Sequence, residues 1–305
     1  MNNHLGSDKV IVPMVSPFNK DYTIDRESVV RICENFIIAG VSVFALGTTG
    51  EGDSMSSNQK DTLLKCVVNK AKGKIKIYAG LTGNSLHQSI EDAQKYTDFG
   101  ADFLVAKLPS YYPIAEDQML RYFETLADSV KVPLYIYNIP STTHHSIPLT
   151  VLEKLRHHPH IAGTKDSERD LARLDESIRL WGNKGDFELL IGWAAMSVYG
   201  LTRGAHGIVP STANLTPEPY VRMLESVRIG DEENALLWQD VSNRMSGLYQ
   251  QGLNLSQSIP ALKILMKLKN LCSSIALPPM QTLSEEAEKQ FLSMIQSDLK
   301  NISND

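Results

Sequence analysis

Lys165 is the residue of this chain best suited to covalent chemistry. It stands in Ile161-Ala162-Gly163-Thr164-Lys165-Asp166, where a short apolar run gives way to a polar, helical pattern. A lysine at the end of a buried strand loses its proton by desolvation, and the free amine then attacks a ketone to form a Schiff base. Taken alone, Lys-Asp after a strand is more often a solvated ion pair. Two other segments shift that balance. Gly47-Thr48-Thr49-Gly50-Glu51 also follows an apolar run. Its backbone N–H groups and hydroxyls suit a carboxylate, the simpler alternative being a turn with a capping threonine. Tyr137-Asn138-Ile139-Pro140 ends a third apolar run. A phenol there relays a proton, unless it packs at the rim with its hydroxyl in water. Three reactive groups at three strand ends is the layout of a barrel active site.

A fourth segment, Pro109-Ser110-Tyr111-Tyr112-Pro113, brackets adjacent tyrosines between prolines. The two rings point in different directions, so one of them reaches a given site. Aromatics on such a loop suit a substrate or a neighbouring subunit.

The elements that position these groups are legible as alternating apolar runs and amphipathic stretches. Candidate strands cover residues 10–15, 41–46, 75–79, 103–107, 134–137, 161–164, 188–191 and 207–209. Helical patterns lie between them at residues 26–39, 86–99, 115–129, 147–155 and 171–181. Ser56 with Gln59 reads as a capping box, and Gly100 as a left-handed helix end. Pro148 and Pro217 fit first-turn positions. This period and count predict an α/β fold, a (β/α)8 TIM barrel over residues 1–229. The periodicity then becomes purely helical, at residues 219–228, 232–251, 258–269 with Pro260 near the first position, and 284–300. The first of these stretches closes the barrel, and residues 230–305 form a C-terminal helical domain.

Composition excludes several functions. The chain has 305 residues, 42% hydrophobic and 21% charged, with a net charge of −5. No basic stripe suits nucleic acid. No apolar run approaches the roughly 20 residues that cross a bilayer. The polar Met1–Lys9 stretch has no hydrophobic core of a secretory signal, so a cytoplasmic location is expected. Cys33, Cys66 and Cys272 are scattered in helix-like contexts and read as buried free thiols. His144-His145 and His157-His158 have diverging side chains, so no metal is expected.

Gly-Thr-Thr-Gly-Glu, Tyr-Asn-Ile-Pro and Gly-Thr-Lys-Asp, in this order, resemble the dihydrodipicolinate synthase / N-acetylneuraminate lyase superfamily of class I aldolases. Val15–Phe18, Gly207–Ser211, Ser258-Ile259-Pro260, Leu277-Pro278 and Leu283-Ser284-Glu285 extend the resemblance over nearly the whole chain. The resemblance implies that Lys165 forms the imine with pyruvate or another 2-oxo acid. Gly47, Thr48 and Thr49 would hold the keto-acid carboxylate, and Tyr137 would move the proton. Thr48 would link Tyr137 to a tyrosine from a neighbouring subunit of a homo-oligomer, a dimer of dimers. Tyr111 matches that visitor better than Tyr112. Thr143, Val209 and Ser211 match positions that line the substrate.

Departures from the family pattern bear on specificity. Thr142 stands where dihydrodipicolinate synthases carry an arginine for the aldehyde's carboxylate, and a threonine cannot replace a bidentate guanidinium. Ala194 and Ala195, beside Trp193, stand where N-acetylneuraminate lyases carry an acidic pair. The expected activity is therefore a Schiff-base lyase joining or separating pyruvate and an aldehyde, best fitted by a 2-keto-3-deoxy sugar acid and using no cofactor. A dehydratase acting through the same imine, a dihydrodipicolinate synthase and a catalytically silent binding paralogue are the alternatives. Intact Lys165, Tyr137 and Thr48 argue against the last.

Overall fold

The computed structural model describes residues 9–302; of the Met1–Lys9 stretch, all but Lys9 lies outside them. The strands are β1 (Ile11–Pro13), β2 (Ser42–Ala45), β3 (Ile77–Leu81), β4 (Phe103–Lys107), β5 (Leu134–Asn138), β6 (Ile161–Asp166), β7 (Glu188–Ile191) and β8 (Gly207–Ile208). They pair in parallel and in chain order, and a bridge from Val10 to Ile208 joins the last to the first. Helices α1 (Arg26–Ala39), α2 (Ser57–Ala71), α3 (Leu86–Phe99) and α4 (Glu116–Asp128) connect the first five strands. The short α5 (Pro140–Thr143), then α6 (Leu149–Leu155), α7 (Leu171–Trp181), α8 (Ser197–Thr202) and α9 (Glu218–Ile229) complete the ring. Beyond the barrel come α10 (Glu232–Gln250), α11 (Leu255–Leu268) and α12 (Glu285–Ile302).

The strands are apolar on both faces because both are covered. Ile11, Phe44, Tyr78, Val105, Tyr135, Tyr137, Leu190 and Val209 fill the interior. Leu104, Ala106, Ile136, Leu189 and Ile191 belong to the larger core beneath the helices. Asp25 caps α1 at the Ser28 N–H, 3.1 Å away. The caps read in the sequence act as expected. Ser56 and Gln59 form the box that starts α2, and Gly100 ends α3 at φ 114°.

Several boundaries differ from the sequence pattern. Ile75 finishes the turn after α2, its N–H on the Ala71 carbonyl at 3.2 Å, so β3 starts at Ile77. Strands β5 and β6 run past their predicted ends, which brings Asn138, Lys165 and Asp166 inside strands. Helix α11 starts at Leu255, because Asn254 and Gln257 form its capping box; Pro260 therefore lies inside the helix, where it forgoes one backbone bond. Cys33 and Cys272 are buried, but Cys66 is only partly so.

One contact fastens the helices after the barrel to its C-terminal end. Lys263 of α11 is fully buried, and its amine bonds the Glu51 carboxylate and, at 2.7 Å, the Ile275 carbonyl. The other Glu51 oxygen accepts the Leu277 N–H at 2.7 Å. Burial pushes the Glu51 carboxyl up and the Lys263 amine down, each offset by its partner. Removing one partner strands a buried charge, at a cost of about 3–5 kcal/mol. Lys263→Met should lose stability on that scale in urea unfolding, and adding Glu51→Gln should recover at least half of the loss. An unchanged midpoint for Lys263→Met would show that the pair carries no stability.

Candidate active site

Pairing between β5 and β6 decides which way Lys165 points. Leu134 pairs with Ile161, but Tyr135 pairs with Gly163, so Ala162 is an extra residue, a β-bulge. Side chains alternate along a strand, and one extra residue exchanges the two faces. Lys165 thereby becomes the register partner of the inward-facing Tyr137 instead of facing the helices. Only glycine fits at 163, since a Cβ there would lie 2.2 Å from the Glu188 carbonyl oxygen of β7.

Inside the barrel the Lys165 amine sits 3.8 Å from the centre of the Tyr137 ring and 4.9 Å from that of Phe44. Burial on this apolar floor pulls the amine below the ordinary lysine range, against the opposing pull of Tyr137. Burial also pushes the Tyr137 phenol up, but Lys165 and hydrogen bonds with Thr48, Lys165 and Ser167 outweigh it, and the phenol ends below its ordinary value. The Thr48 hydroxyl lies 3.5 Å from the Tyr137 hydroxyl.

The loop after β2 is held in a strained shape. Leu46 at φ 63° and Glu51 at φ 58° both adopt the left-handed region, which non-glycine residues enter mostly where surrounding structure forces them. Gly52 and Gly80 make room for the Leu46 carbonyl oxygen, which a Cβ at either would approach to 2.2 and 2.6 Å. Between the strained residues, the N–H groups of Thr48 and Thr49 donate to no backbone carbonyl among the described residues. Thr48 and Thr49 are half-buried, so this turn offers free donors beside Lys165 and Tyr137.

The remaining sequence-predicted residues divide. Val209 is buried in the interior cluster. Ser211 is half-buried, and its hydroxyl meets the Tyr249 hydroxyl of α10 at 2.8 Å. Thr142 is half-buried, with its hydroxyl 3.4 Å from the Ile139 carbonyl. Thr143 is buried, and its hydroxyl serves the Ile139 and His145 carbonyls at 3.0 and 3.1 Å, the needs of its own turn. Ala194 is half-buried, and its carbonyl accepts from Ser197 and Gln239. Trp193 packs on the helix-side core rather than the interior cluster. Tyr111 and Tyr112 stand 76% and 72% exposed, their rings crossed at 4.8 Å.

Some features escape a motif-based reading. Phe44 is legible from its inward position in β2. Lys107 lies beside Tyr137 in the β4–β5 register, 7% exposed, and pairs with Asp53 at 3.1 Å. Tyr249 comes from a helix far along the chain and has no local signal.

A buried amine and phenol at the C-terminal end of a (β/α)8 barrel, beside free backbone donors, define a barrel enzyme of the lyase class. The chain belongs to the dihydrodipicolinate synthetase family, whose model matches residues 6–298. A 4-hydroxy-tetrahydrodipicolinate synthase of Laribacter hongkongensis is 28% identical over 269 residues, 88% of this chain and 91% of that protein. The dihydrodipicolinate synthase structure from Bacteroides thetaiotaomicron superposes with a TM-score of 0.88 at 26% identity, covering 97% of this chain and 100% of that one. A variant of 2-keto-3-deoxygluconate aldolase from Sulfolobus solfataricus gives 0.85 at 25% identity, with 97% of each chain covered. An E. coli prophage protein of the dihydrodipicolinic acid synthase family, solved in complex with pyruvate, gives 0.86 at 25% identity over 95% of this chain and 98% of that one.

Two measurements check this geometry. Gly163→Ala should lower kcat/KM by about 100-fold, because displacing β6 by a fraction of its width misaligns Lys165 and Tyr137; wild-type activity would show that the bulge tolerates a side chain. The second concerns pH. The folded pKa of Lys165 lies below its unfolded value, so the unfolded chain binds the extra proton between the two, and stability rises with pH through that window. Lys165→Met should therefore be more stable than wild type at pH 7, and urea melts should show the gap shrinking toward pH 9.5. A constant gap would mean that the amine is not desolvated.

Proposed function

We propose that the protein is a pyruvate-dependent class I aldolase acting on a compact 2-keto-3-deoxy sugar acid through an imine on Lys165. The observation that carries this reading is the bulge-directed Lys165 amine, buried against Tyr137 and Phe44 within one site with the Thr48–Thr49 donors. The carboxylate of a 2-oxo acid accepts those N–H groups, which aims its ketone at the amine. The unprotonated amine adds to the ketone, and the Tyr137 phenol gives its proton to the departing hydroxyl, so loss of water leaves a protonated imine and a phenolate. As the carbon–carbon bond breaks, the tyrosine oxygen takes the proton of the substrate hydroxyl, and the bond's electron pair moves into the imine to give an enamine. The aldehyde departs, the enamine is protonated on carbon, and water returns pyruvate and the free amine. Condensation runs through the same steps reversed. The chemistry calls on the chain's own side chains and backbone N–H groups, so no metal or other cofactor is required.

Specificity follows from the residues around the second substrate. Thr142 carries no charge, and its hydroxyl leans on its own turn, so a carboxylate on the aldehyde lacks a clamp there. Losing a buried charge-assisted contact commonly costs about 2–5 kcal/mol. Ala194 and Ala195 hold no long polyol. The aldolase neighbour from Sulfolobus supports the sugar-acid reading, and the synthase relatives favour dihydrodipicolinate synthesis as the second one. Comparing kcat/KM for 2-keto-3-deoxygluconate or 2-keto-3-deoxygalactonate with those for aspartate semialdehyde plus pyruvate and for N-acetylneuraminate separates them. The sugar acids should lead by at least about tenfold. Leadership by aspartate semialdehyde or N-acetylneuraminate would show the reading of Thr142, Ala194 and Ala195 to be wrong.

The exposed Tyr111 is proposed to complete a neighbour's site across a two-fold interface, within a dimer of dimers. Light scattering on active enzyme should find a dimer or tetramer, and an active monomer would contradict this.

A further inference from the structure

Directly behind the reacting pair, strands β5 and β6 are tied by a polar cluster that the proposed reaction does not use. Asn138 and Asp166 follow Tyr137 and Lys165 in the two strands and are register partners. Both are buried, and alternation turns them away from the barrel interior. The Asn138 amide donates to both Asp166 carboxylate oxygens at 3.2 Å and to Glu168 at 2.9 Å. Its carbonyl oxygen accepts the Ile147 N–H at 3.0 Å. Arg173 of α7 donates its Nε to Asp166 at 2.7 Å and lies 3.4 Å from Glu168. The Glu168 N–H closes onto Asp166 at 2.9 Å, and the Ser146 hydroxyl reaches Glu168 at 2.6 Å.

This cluster is not built for stability alone. It sets two carboxylates against one guanidinium, and the buried Nη2 of Arg173 has no partner among the described residues. Apolar packing would fill such a space at less cost in desolvation. What the cluster does provide is a fixed spacing between two strand ends. The backbone repeats the tie, with the Ser167 N–H on the Asn138 carbonyl at 2.9 Å and the Gly192 N–H of the next loop on the Asp166 carbonyl at 2.7 Å.

We propose that Arg173, acting through Asp166 and Asn138, is a positioning residue that holds Tyr137 at proton-transfer distance from the imine on Lys165. The inference rests on the imine reading above. Forming the pyruvate imine needs the amine and the Thr48–Thr49 donors, whereas cleaving the carbon–carbon bond also needs the phenol in place. Arg173→Met should therefore keep borohydride trapping of pyruvate at Lys165 and keep KM within about twofold, while kcat falls about 30-fold. Arg173→Lys, which returns a cation to Asp166, should recover at least about threefold of that loss. An unchanged kcat in Arg173→Met overturns the proposal. So does a parallel loss of trapping and kcat in a variant whose circular dichroism is native. If Arg173→Met does not fold, Glu168→Gln loosens the same cluster from its exposed side. It should lower kcat about threefold at constant KM, and an unchanged kcat there overturns the proposal equally. Wild-type protein that pyruvate and borohydride do not label would instead sink the imine reading, and this inference would fall with it.

Discussion

A single extra residue in β6 decides which face of the barrel Lys165 meets. Ala162 has no partner in β5, so Gly163 rather than Ala162 lies beside Tyr135, and every later residue of the strand exchanges faces. Without the bulge, Lys165 would face the helices, where its amine has neither Phe44 nor Tyr137 to desolvate it. With the bulge, the amine rests over both rings. Its lowered proton affinity then needs no neighbouring cation, because burial alone depresses a lysine. Gly163 is the covalent condition for this arrangement, since the β7 backbone passes too close for any side chain.

The loop proposed to bind the substrate carboxylate depends on a second constraint of the same kind. The loop that carries Thr48 and Thr49 is bent between two left-handed residues, Leu46 and Glu51. Such a bend persists only where its surroundings over-determine it. Here Gly52 and Gly80 accommodate the Leu46 carbonyl, and Lys263 and the Leu277 N–H hold the Glu51 carboxylate. The helices after the barrel therefore belong to the site's support. Helix α10 does likewise for Ser211, through Tyr249, which Thr212 also meets at 2.9 Å.

Much of this was legible in the sequence, for reasons that also mark where legibility ends. Helices α1, α3 and α7 follow from periodicity, while their caps at Asp25, Ser85 and Asp170 emerge from the fold. The strand ends carrying Thr48, Tyr137 and Lys165 follow from motifs beside apolar runs. The bulge does not, because a strand buried on both faces reads apolar throughout and hides its alternation. The Glu51–Lys263 pair joins residues 212 positions apart, beyond any local pattern. Thr143 carries a hydroxyl that any sequence reading leaves open for a ligand; only the fold turns it onto the Ile139 and His145 carbonyls. Pro260 suggested a helix start because proline favours first turns, yet the Asn254–Gln257 box set the start earlier.

The central claim is that the bulge delivers a reactive amine to a 2-oxo acid at one position. Mass spectrometry of the protein after incubation with pyruvate and borohydride measures this directly. The account predicts one added reduced pyruvate per chain, on the peptide containing Lys165, and none in Lys165→Ala or Lys165→Arg, the guanidinium staying protonated. Unmodified protein, or an adduct on another lysine such as Lys107, would contradict it.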